Sequence, residues 1–266
     1  MFEGFVFMDE DIKLLANKTV ESIYRKIKKA ASNDFNKFGS TVGLGADGTV
    51  TKFIDKIAED VALRLIKKSK LKVNILSEEA GFVDNGGEYT FVLDPIDGTR
   101  NAYRGIPFYS VSLAVGKTSL SDVEYGLVKN IPTGDTYIAV KDQGAYLNKS
   151  RFAVPEVPDK EILSSLTLGV NYDKKTLSLA KKDKVRSLGS ASLEMCMVAT
   201  GALDYYVVGK EYIRVIDIAA STLIVREAGG VVTNILGETL DMDFNLEDRS
   251  SVVAACNMDL IKKIVS

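Results

Sequence analysis

The stretch YTFVLDPIDGT, residues 89–99, joins a predicted β-strand to a candidate functional turn. Its first half is rich in β-branched and aromatic residues and ends at Asp94, which is typical of a buried strand. Proline then fixes φ near −65° and glycine accepts positive φ, so the chain is expected to turn directly after the strand. The turn would bring Asp94 and Asp97 to the carboxyl end of the strand, where ligands bind in many α/β sheets.

Two helices are predicted before this strand. Apolar residues recur at helical spacing from Asp9 to Ala31 and again from Phe53 to Leu65. The segment KFGSTVGLGADGT, residues 37–49, lies between them and is rich in glycine and polar residues. We therefore expect a mobile loop to join the two helices.

Short runs of β-branched and aromatic residues follow the second helix and predict a largely antiparallel sheet. Its strands are expected at 73–76, 89–94, 108–116, 123–130 and 136–140. From about residue 185, helices and strands alternate. Helices are predicted at 190–204, 215–230 and the DLIKKIV segment 259–265, and strands at 205–209, 230–234 and 251–257.

This order of elements suggests packed layers rather than separate globular units. The chain has no repeat, low-complexity tract or proline-rich linker. We place a boundary near residue 140, between an N-terminal half (1–140) and a C-terminal half (141–266) that act as one unit.

Composition limits the classes of function that the chain can have. Its 266 residues are 46% hydrophobic and 26% charged, as in an ordinary soluble globular protein. Lysine and arginine total 34 against 36 acids, so we expect no nucleic acid partner and no attraction to anionic membranes. No apolar run approaches the roughly 18 to 20 residues of a membrane span, and the start, MFEGFVFMDEDIK, lacks signal-peptide features, which together favour the cytoplasm.

The chain contains no histidine, which removes several kinds of chemistry. Ser-His-Asp and Cys-His catalysis and histidine-ligated zinc are excluded. The two cysteines, Cys196 and Cys256, lie in apolar segments and are expected to be buried free thiols. Acid–base work and metal binding must therefore fall to carboxylates, hydroxyls, lysine or water.

Asp94 and Asp97 form a candidate metal site. Two carboxylates held close together raise each other's pKa unless a cation lies between them. Magnesium prefers oxygen ligands, and the carbonyl of Ile96 would be exposed between the two acids. Gly98 and Thr99 follow with backbone N–H groups that an oxyanion could approach closely. Metal ligands and an anion site would thus be adjacent.

Other acids could join this site from a distance. Glu78 and Glu79 follow the predicted strand 73–76, and Asp55 lies beside the glycine-rich loop. Asp217 stands between apolar residues at the start of a predicted helix, where it needs a partner or a capping role. Each acid has an ordinary explanation when taken singly: Glu78 and Glu79 as solvated turn residues, Asp55 as a helix-start acid and Asp217 as an N-cap. These ordinary explanations are weaker when all four acids are considered together.

Several separated motifs in one order resemble the inositol monophosphatase superfamily of magnesium-dependent, lithium-sensitive phosphatases, which includes fructose-1,6-bisphosphatases. The resemblance covers nearly the whole chain. Its motifs are GTVTKFIDKIAED (48–60), ILSEEAG (75–81), FVLDPIDGTRNAYRGIPFYSVSLAVG (91–116), GAYLN (144–148), RSLGSASLEMCMVATGALDYY (186–206) and RVIDIAASTLIVREAGG (214–230).

The resemblance implies an α+β fold, the layered αβαβα sandwich of this superfamily, and commonly a homodimer. It also implies two or three Mg²⁺ ions in each site, with Mn²⁺ as a substitute. The metal ligands it implies are Glu78, Asp94, the carbonyl of Ile96, Asp97 and Asp217.

The resemblance further implies a direct attack of water on phosphorus, in which Glu78 and Thr99 orient the water and magnesium activates it. Asp55 would be the carboxylate linked to a third, loosely held metal. The amides of Gly98 and Thr99 would hold the phosphate. The turn Gly189-Ser190-Ala191 would contact the alcohol part of a small-molecule phosphate ester.

The sequence departs from the animal inositol phosphatases at two positions. Val207 replaces the acid that contacts inositol hydroxyls, and Ile216 replaces a tryptophan. The segment DGTRNAYRGIPFYSVSLAV, residues 97–115, looks closer to archaeal-type enzymes that accept both inositol monophosphate and fructose 1,6-bisphosphate. A bisphosphate needs a second anion site, and of three nearby cations we favour Arg186 and Lys210 over Arg214 because they bracket the Gly-Ser-Ala turn.

Three alternatives compete with this interpretation. Haloacid-dehalogenase-like phosphatases also contain a DGT motif, but their two acids are two residues apart and lie near the N-terminus, unlike Asp94 and Asp97. A non-catalytic phosphate-binding relative would not need the full ligand set. Within the superfamily, a nucleotide such as 3′-phosphoadenosine 5′-phosphate stays open as a substrate.

Overall fold

The structure is a computed structural model that describes residues 8–46, 48–156, 161–168 and 174–266. Its helices are α1 (Glu10–Asn33), α2 (Phe53–Ser69), α3 (Thr99–Arg104), α4 (Lys174–Leu179), α5 (Ala191–Ala199), α6 (Val215–Glu227) and α7 (Met258–Val265). Its strands are β1 (Thr41–Leu44), β2 (Val50–Lys52), β3 (Val73–Ser77), β4 (Gly81–Val83), β5 (Tyr89–Asp97), β6 (Ser110–Gly116), β7 (Tyr125–Asn130), β8 (Thr136–Val140), β9 (Gly144–Leu147), β10 (Ser150–Phe152), β11 (Leu163–Leu166), β12 (Lys184–Arg186), β13 (Tyr205–Ile213), β14 (Val231–Thr233) and β15 (Ser250–Ala255).

The strands form two large sheets and one hairpin. The first sheet has the order β10-β9-β8-β7-β6-β5-β3-β4, and the second has the order β12-β11-β13-β15-β14. Most neighbours are antiparallel, but β3 and β5 run parallel, as do the pairs that β11 makes with β12 and β13. The parallel pair β3 and β5 is important below because both strands end at the same edge.

Side chains of the first sheet alternate between two apolar cores. Phe91 and Leu93 of β5 lie in the core shared with α1 and α2, whereas Val92 lies in the core shared with α5 and α6. The same alternation separates Ile75 from Leu76 on β3. Successive side chains of a strand point to opposite faces, so both faces of this sheet are buried.

The helices complete a layered arrangement. Helices α1 and α2 cover one face of the first sheet, and α5 and α6 lie between its other face and the second sheet. Helices α4 and α7 pack on the second sheet. Close approach of α6 to the first sheet depends on Gly126, where a Cβ would lie 2.6 Å from the Ala220 carbonyl oxygen. The predicted α+β sandwich with αβαβα layers is confirmed.

Most predicted helices and strands are present, with two corrections near the candidate site. The loop prediction for 37–49 was wrong for residues 41–44, which pair with β2 in an antiparallel hairpin; Asp47 lies outside the described residues. β-Branched residues on both strands favour this pairing. The turn predicted at Pro95 was also wrong, because β5 continues to Asp97 with an irregularity in its pairing to β6.

The boundary predicted near residue 140 falls at the end of β8, inside the first sheet. The first sheet continues to Phe152, and the second begins at Leu163, so the division into two halves stays a prediction. Cys196 and Cys256 are buried free thiols, as predicted. None of the helices in the described ranges is long and apolar enough to cross a bilayer. The prediction that the chain lacks a signal peptide rests partly on residues 1–7, which lie outside those ranges.

Candidate active site

The candidate site lies where β3 and β5 end beside the start of α6. Leu76 and Val92 face the core that contains α6. Because side chains alternate along a strand, the positions two residues later, Glu78 and Asp94, are directed toward the same side. Helix α6 brings Asp217 to this point, since Asp217 is the third residue of that helix. Alternation along two strands and the start of α6 therefore gather acids from three separate motifs.

Asp94 and Asp97 are both buried at the end of β5. The Ile96 amide donates to Asp94 Oδ1 at 3.0 Å, which holds the Asp94 carboxylate against the irregular part of the strand. The irregular pairing between Asp94 and Asp97 replaces the predicted turn and serves the same purpose, because a bulge redirects side chains at the end of a strand.

Asp97 is linked to the start of α5. Its Oδ2 atom accepts from the Ser190 hydroxyl at 2.7 Å, the Ser192 amide at 2.8 Å and the Ser192 hydroxyl at 2.5 Å. The Ser110 hydroxyl of β6 lies 2.8 Å from that of Ser192. The three donors from Ser190 and Ser192 point at Oδ2, and within the described residues no hydrogen-bond donor lies at the other carboxylate oxygen of Asp97.

Gly98 is required by both conformation and space. Its φ of 91° lies in the left-handed region that favours glycine, and a Cβ there would lie 3.0 Å from the Gly189 carbonyl oxygen and 3.2 Å from that of Phe108. The Gly189-Ser190 turn thus packs directly against the predicted phosphate-binding residues. Ala191, the third residue of this predicted substrate turn, begins α5.

Thr99 and Asp55 form a hydrogen-bonded pair. The Thr99 hydroxyl lies 2.9 Å from Asp55 Oδ1 and 3.0 Å from the Ile96 carbonyl oxygen, and it can donate its proton to either. The other Asp55 oxygen accepts from the Lys52 amide at 3.2 Å, which also caps the start of α2. Thr99, Asp55 and the Ile96 carbonyl are therefore neighbours.

Arg214 connects Glu78 to Asp217. Its guanidinium group donates to Glu78 Oε1 and to Asp217 Oδ1, each at 2.8 Å, and its backbone amide donates to Asp217 Oδ2 at 2.8 Å. Asp217 is therefore not the N-cap that one ordinary explanation required, because Arg214 occupies that position. Instead, Asp217 has the partner that its apolar surroundings demand.

The carboxylates of this cluster destabilise each other's charged forms. Burial and the neighbouring charges of Asp97 and Glu78 raise the pKa of Asp94 well above its ordinary value. Burial also raises the pKa of Asp97 to about 6 and that of Asp55 to about 7, against the hydrogen bonds that each receives. Among the ion pairs of the described residues, Arg214 is the one cationic partner of Glu78 and Asp217, and none of these ion pairs involves Asp94 or Asp97.

This donor set fits a hard divalent cation. Asp94 and Asp97 are buried and Glu78 and Asp217 are half-buried, and together these carboxylates carry more negative charge than one guanidinium group can balance. In the described ranges, however, no three Asp, Glu or Cys side chains converge closely enough to form a ready-made metal site. Arg214 bridges two of the candidate ligands, so cation binding at Glu78 and Asp217 has to compete with its guanidinium group.

The β1–β2 hairpin covers the turn that carries Glu78. Its Ala46 amide lies 3.2 Å from the carbonyl oxygens of both Glu78 and Glu79. The Thr51 hydroxyl donates to the Glu79 carboxylate, and the Thr49 hydroxyl lies 3.4 Å from Glu78 Oε1. The hairpin therefore contacts the acidic cluster through the 78–79 turn.

Two predicted substrate residues lie apart from the cluster. Arg186 is exposed on β12, where its guanidinium group donates to the Val185 carbonyl oxygen at 3.0 Å, and Lys210 is exposed on β13. Within the described residues, no hydrogen bond or ion pair links either cation to the carboxylates. Arg214, which we ranked below them for substrate binding, is the cation that reaches the cluster.

Sequence reasoning missed other polar residues that support the site. Ser192 contacts Asp97, and the buried acids Glu59 and Glu194 accept hydrogen bonds from the two turns at the site. The available signal was a glutamate in an otherwise apolar helical segment, as in SLEMCMVA, residues 192–199. A buried carboxylate in such a segment needs specific partners.

Residues 8–266 match the model of the inositol monophosphatase family. The chain is 38% identical to a fructose-1,6-bisphosphatase/inositol-1-monophosphatase from Methanothermobacter thermautotrophicus, over 95% of each protein. It is 37% identical to a bifunctional NADP phosphatase/NAD kinase from Methanococcus maripaludis, over 96% of this chain and 49% of that protein.

A solved structure has the same architecture. It is a hypothetical protein from Pyrococcus horikoshii with similarities to inositol-1 monophosphatase, and it superposes with a TM-score of 0.83 at 32% identity, covering 96% of this chain and 97% of that one.

The raised pKa values predict how pH affects the metal-free protein. The folded-state pKa values of Asp55 and Asp97, about 7 and 6, lie above that of an unfolded aspartate, about 4. Between about pH 4 and pH 7 the folded state therefore binds more protons than the unfolded state does. The free energy of unfolding is expected to fall as pH rises over this range. Cation binding favours the charged carboxylates, so the stabilisation by Mg²⁺ should increase over the same range.

Thermal denaturation with EDTA or with Mg²⁺, at pH 5 and at pH 8, measures this effect. We expect a larger increase in Tm from Mg²⁺ at pH 8. Asp97→Asn should reduce that increase, whereas Asp60→Asn, at an exposed ion pair on α2, should not. An equal Tm increase at both pH values would contradict the assignment of these carboxylates to a cation site.

Proposed function

This chain belongs to the inositol monophosphatase family and is a phosphatase, and we propose that it hydrolyses fructose 1,6-bisphosphate, inositol 1-phosphate or both with the help of Mg²⁺. The predictions of the family and of a phosphatase acting on sugar phosphates are confirmed. The observation that carries the site assignment is the pair of buried acids Asp94 and Asp97 beside the Gly98-Thr99 segment.

We propose that two or three Mg²⁺ ions, or Mn²⁺ in their place, are held by one set of oxygen ligands. These are the carboxylates of Glu78, Asp94, Asp97 and Asp217 and the carbonyl of Ile96. When bound, such cations lower the pKa of water and neutralise charge that develops on phosphoryl oxygens. The raised pKa values of Asp94 and Asp97 support this set, because a cation would relieve the repulsion between them.

Thr99 and Asp55 are proposed to accept the proton of the attacking water. The Thr99 oxygen can accept a proton from water while its own proton passes to Asp55 Oδ1, 2.9 Å away. The pKa of Asp55, about 7, suits a group that takes up a proton near neutral pH. Glu78 is proposed to orient the same water molecule once its carboxylate is released from Arg214.

The substrate is proposed to bind between two turns. The amides of Gly98 and Thr99 would hold the phosphate, and Gly189, Ser190 and Ala191 would contact its alcohol part. The packing of the Gly189 carbonyl against Gly98 supports this arrangement, because the two turns form one continuous surface. Arg186 and Lys210 remain our proposal for a second anion site.

A nucleotide phosphatase is the second candidate function. The similarity to a protein named as a bifunctional NADP phosphatase/NAD kinase favours a 2′-phosphorylated nucleotide, besides the 3′-phosphoadenosine 5′-phosphate considered from the sequence. The homodimer and the cytoplasmic location stay predictions.

Phosphate release tests both the reaction and the substrate. We expect Mg²⁺-dependent release from fructose 1,6-bisphosphate or inositol 1-phosphate, with a higher kcat/KM than from 3′-phosphoadenosine 5′-phosphate or NADP. Asp97→Asn should lower kcat by at least about 100-fold, because it removes charge at the reacting centre. Asp259→Asn, at an exposed acid of α7, is the matched control. Undiminished activity of Asp97→Asn would remove the site assignment.

Lys210→Ala tests the second anion site. If Lys210 contacts a second phosphate, the substitution should raise KM about tenfold for fructose 1,6-bisphosphate and leave KM for inositol 1-phosphate within about twofold, as loss of one charge-assisted contact predicts. Steady-state kinetics on both substrates measures the difference. Equal changes in both KM values would rule out this role.

A further inference from the structure

Two buried glutamates, Glu59 and Glu194, lie against two turns of the site. Glu59 contacts the 77–80 turn and Glu194 contacts the 188–190 turn. Each is 2% exposed, and neither forms an ion pair within the described residues. Glu59 belongs to α2 and Glu194 to α5, so they approach the site from opposite faces of the first sheet. A buried carboxylate without an ion pair needs hydrogen bonds. The partners of these two acids are the turns themselves.

Glu59 contacts the turn that carries Glu78. Its Oε1 atom accepts from the Ser77 hydroxyl at 2.5 Å and from the Ala80 amide at 3.0 Å. These two donors stand on either side of Glu78 and Glu79, so the turn is fixed at both ends. Alternation along β3 explains the contact, because Ser77 points to the α2 face while Glu78 points to the α6 face.

Glu194 contacts the turn that carries Gly189 and Ser190. Its Oε1 atom accepts from the Leu188 amide at 3.0 Å and from the Ser165 hydroxyl of β11. Its Oε2 atom accepts from the amides of Gly189 at 3.1 Å and Ser190 at 3.2 Å. Three successive backbone amides therefore point at one carboxylate, which fixes the path of the turn.

We propose that Glu59 and Glu194 are positioning residues with separate targets: Glu59 orders the 77–80 turn for cation binding, and Glu194 orders the 188–190 turn for substrate binding. This inference rests on the proposed function of the two turns. Neither glutamate touches the reacting atoms. Each acts through main-chain groups, and the pattern of hydrogen bonds predicts different responses to the same substitution.

The difference lies in how many oxygens each carboxylate uses. The hydrogen bonds from Ser77 and Ala80 to Glu59 both end on Oε1, so the single carbonyl oxygen of glutamine can accept both of them, and the Glu79 amide is a weaker further donor to this carboxylate. Donors to Glu194 approach both oxygens, so glutamine would turn its NH₂ group toward at least one backbone amide. Glu59→Gln should therefore preserve the 77–80 turn, whereas Glu194→Gln should disturb the 188–190 turn.

Three measurements on four variants test the proposal. The variants are Glu59→Gln, Glu59→Met, Glu194→Gln and Glu194→Met. Electron paramagnetic resonance of free Mn²⁺ gives the Kd for the cation without turnover. Calorimetric titration with inositol 1-phosphate or fructose 1,6-bisphosphate in Ca²⁺ gives the Kd for the sugar phosphate, and steady-state kinetics in Mg²⁺ gives KM and kcat separately.

We expect Glu59→Met to weaken Mn²⁺ binding by about tenfold or more, and Glu59→Gln to leave it within about threefold of the original protein. Both Glu194 variants should raise the Kd and KM for the sugar phosphate about tenfold, with kcat less affected and Mn²⁺ binding within about twofold. Ser77→Ala and Ser165→Ala remove one donor from each glutamate and should act in the same directions if a glutamate variant fails to fold.

Equal loss of Mn²⁺ binding in the variants of both glutamates would overturn the separate roles, as would a Glu59→Gln variant as impaired as Glu59→Met. If the unaltered protein binds and hydrolyses no sugar phosphate, the proposed function fails. In that case the Mn²⁺ measurements alone test the inference. It predicts weaker Mn²⁺ binding by Glu59→Met and unchanged Mn²⁺ binding by Glu194→Gln.

Discussion

Repulsion among buried carboxylates is the constraint on which the rest of this structure depends. Asp94 and Asp97 end one strand, Glu78 follows its parallel neighbour, and Asp217 begins the helix packed against them. Such a cluster raises the pKa of its own members, as seen at Asp94, and opposes folding in the charged state. We propose that the protein retains this cluster because its oxygens bind a cation.

Several features of the fold position this cluster. The parallel pairing of β3 and β5 brings two strand ends together, and alternation directs Glu78 and Asp94 toward α6. Because Gly98 has no Cβ, the end of β5 approaches the Gly189 carbonyl oxygen without steric conflict. Arg214 offsets part of the negative charge by bridging Glu78 and Asp217, so the guanidinium group stands in for positive charge at two of the proposed ligands.

Much of this arrangement could be predicted from the sequence, because local patterns encode it. The spacing of apolar residues predicts α1 and α2, and the DPIDGT segment together with the separated motifs predicts the acids of the site. The hairpin containing β1 was missed because glycine and polar residues there indicate a loop, whereas pairing with β2 depends on contacts formed after folding. The partners of Arg214 and Glu194 were missed for a similar reason, since side-chain direction at long range leaves no local pattern.

Anomalous diffraction from crystals grown with Mn²⁺ tests most directly whether the acidic cluster is a cation site. We expect Mn²⁺ peaks against the carboxylates of Asp94, Asp97 and Asp217, with the Arg214 guanidinium group displaced from Glu78. A structure determined with saturating Mn²⁺ that has no peak at Asp94 or Asp97, and that keeps Arg214 between Glu78 and Asp217, would contradict this assignment.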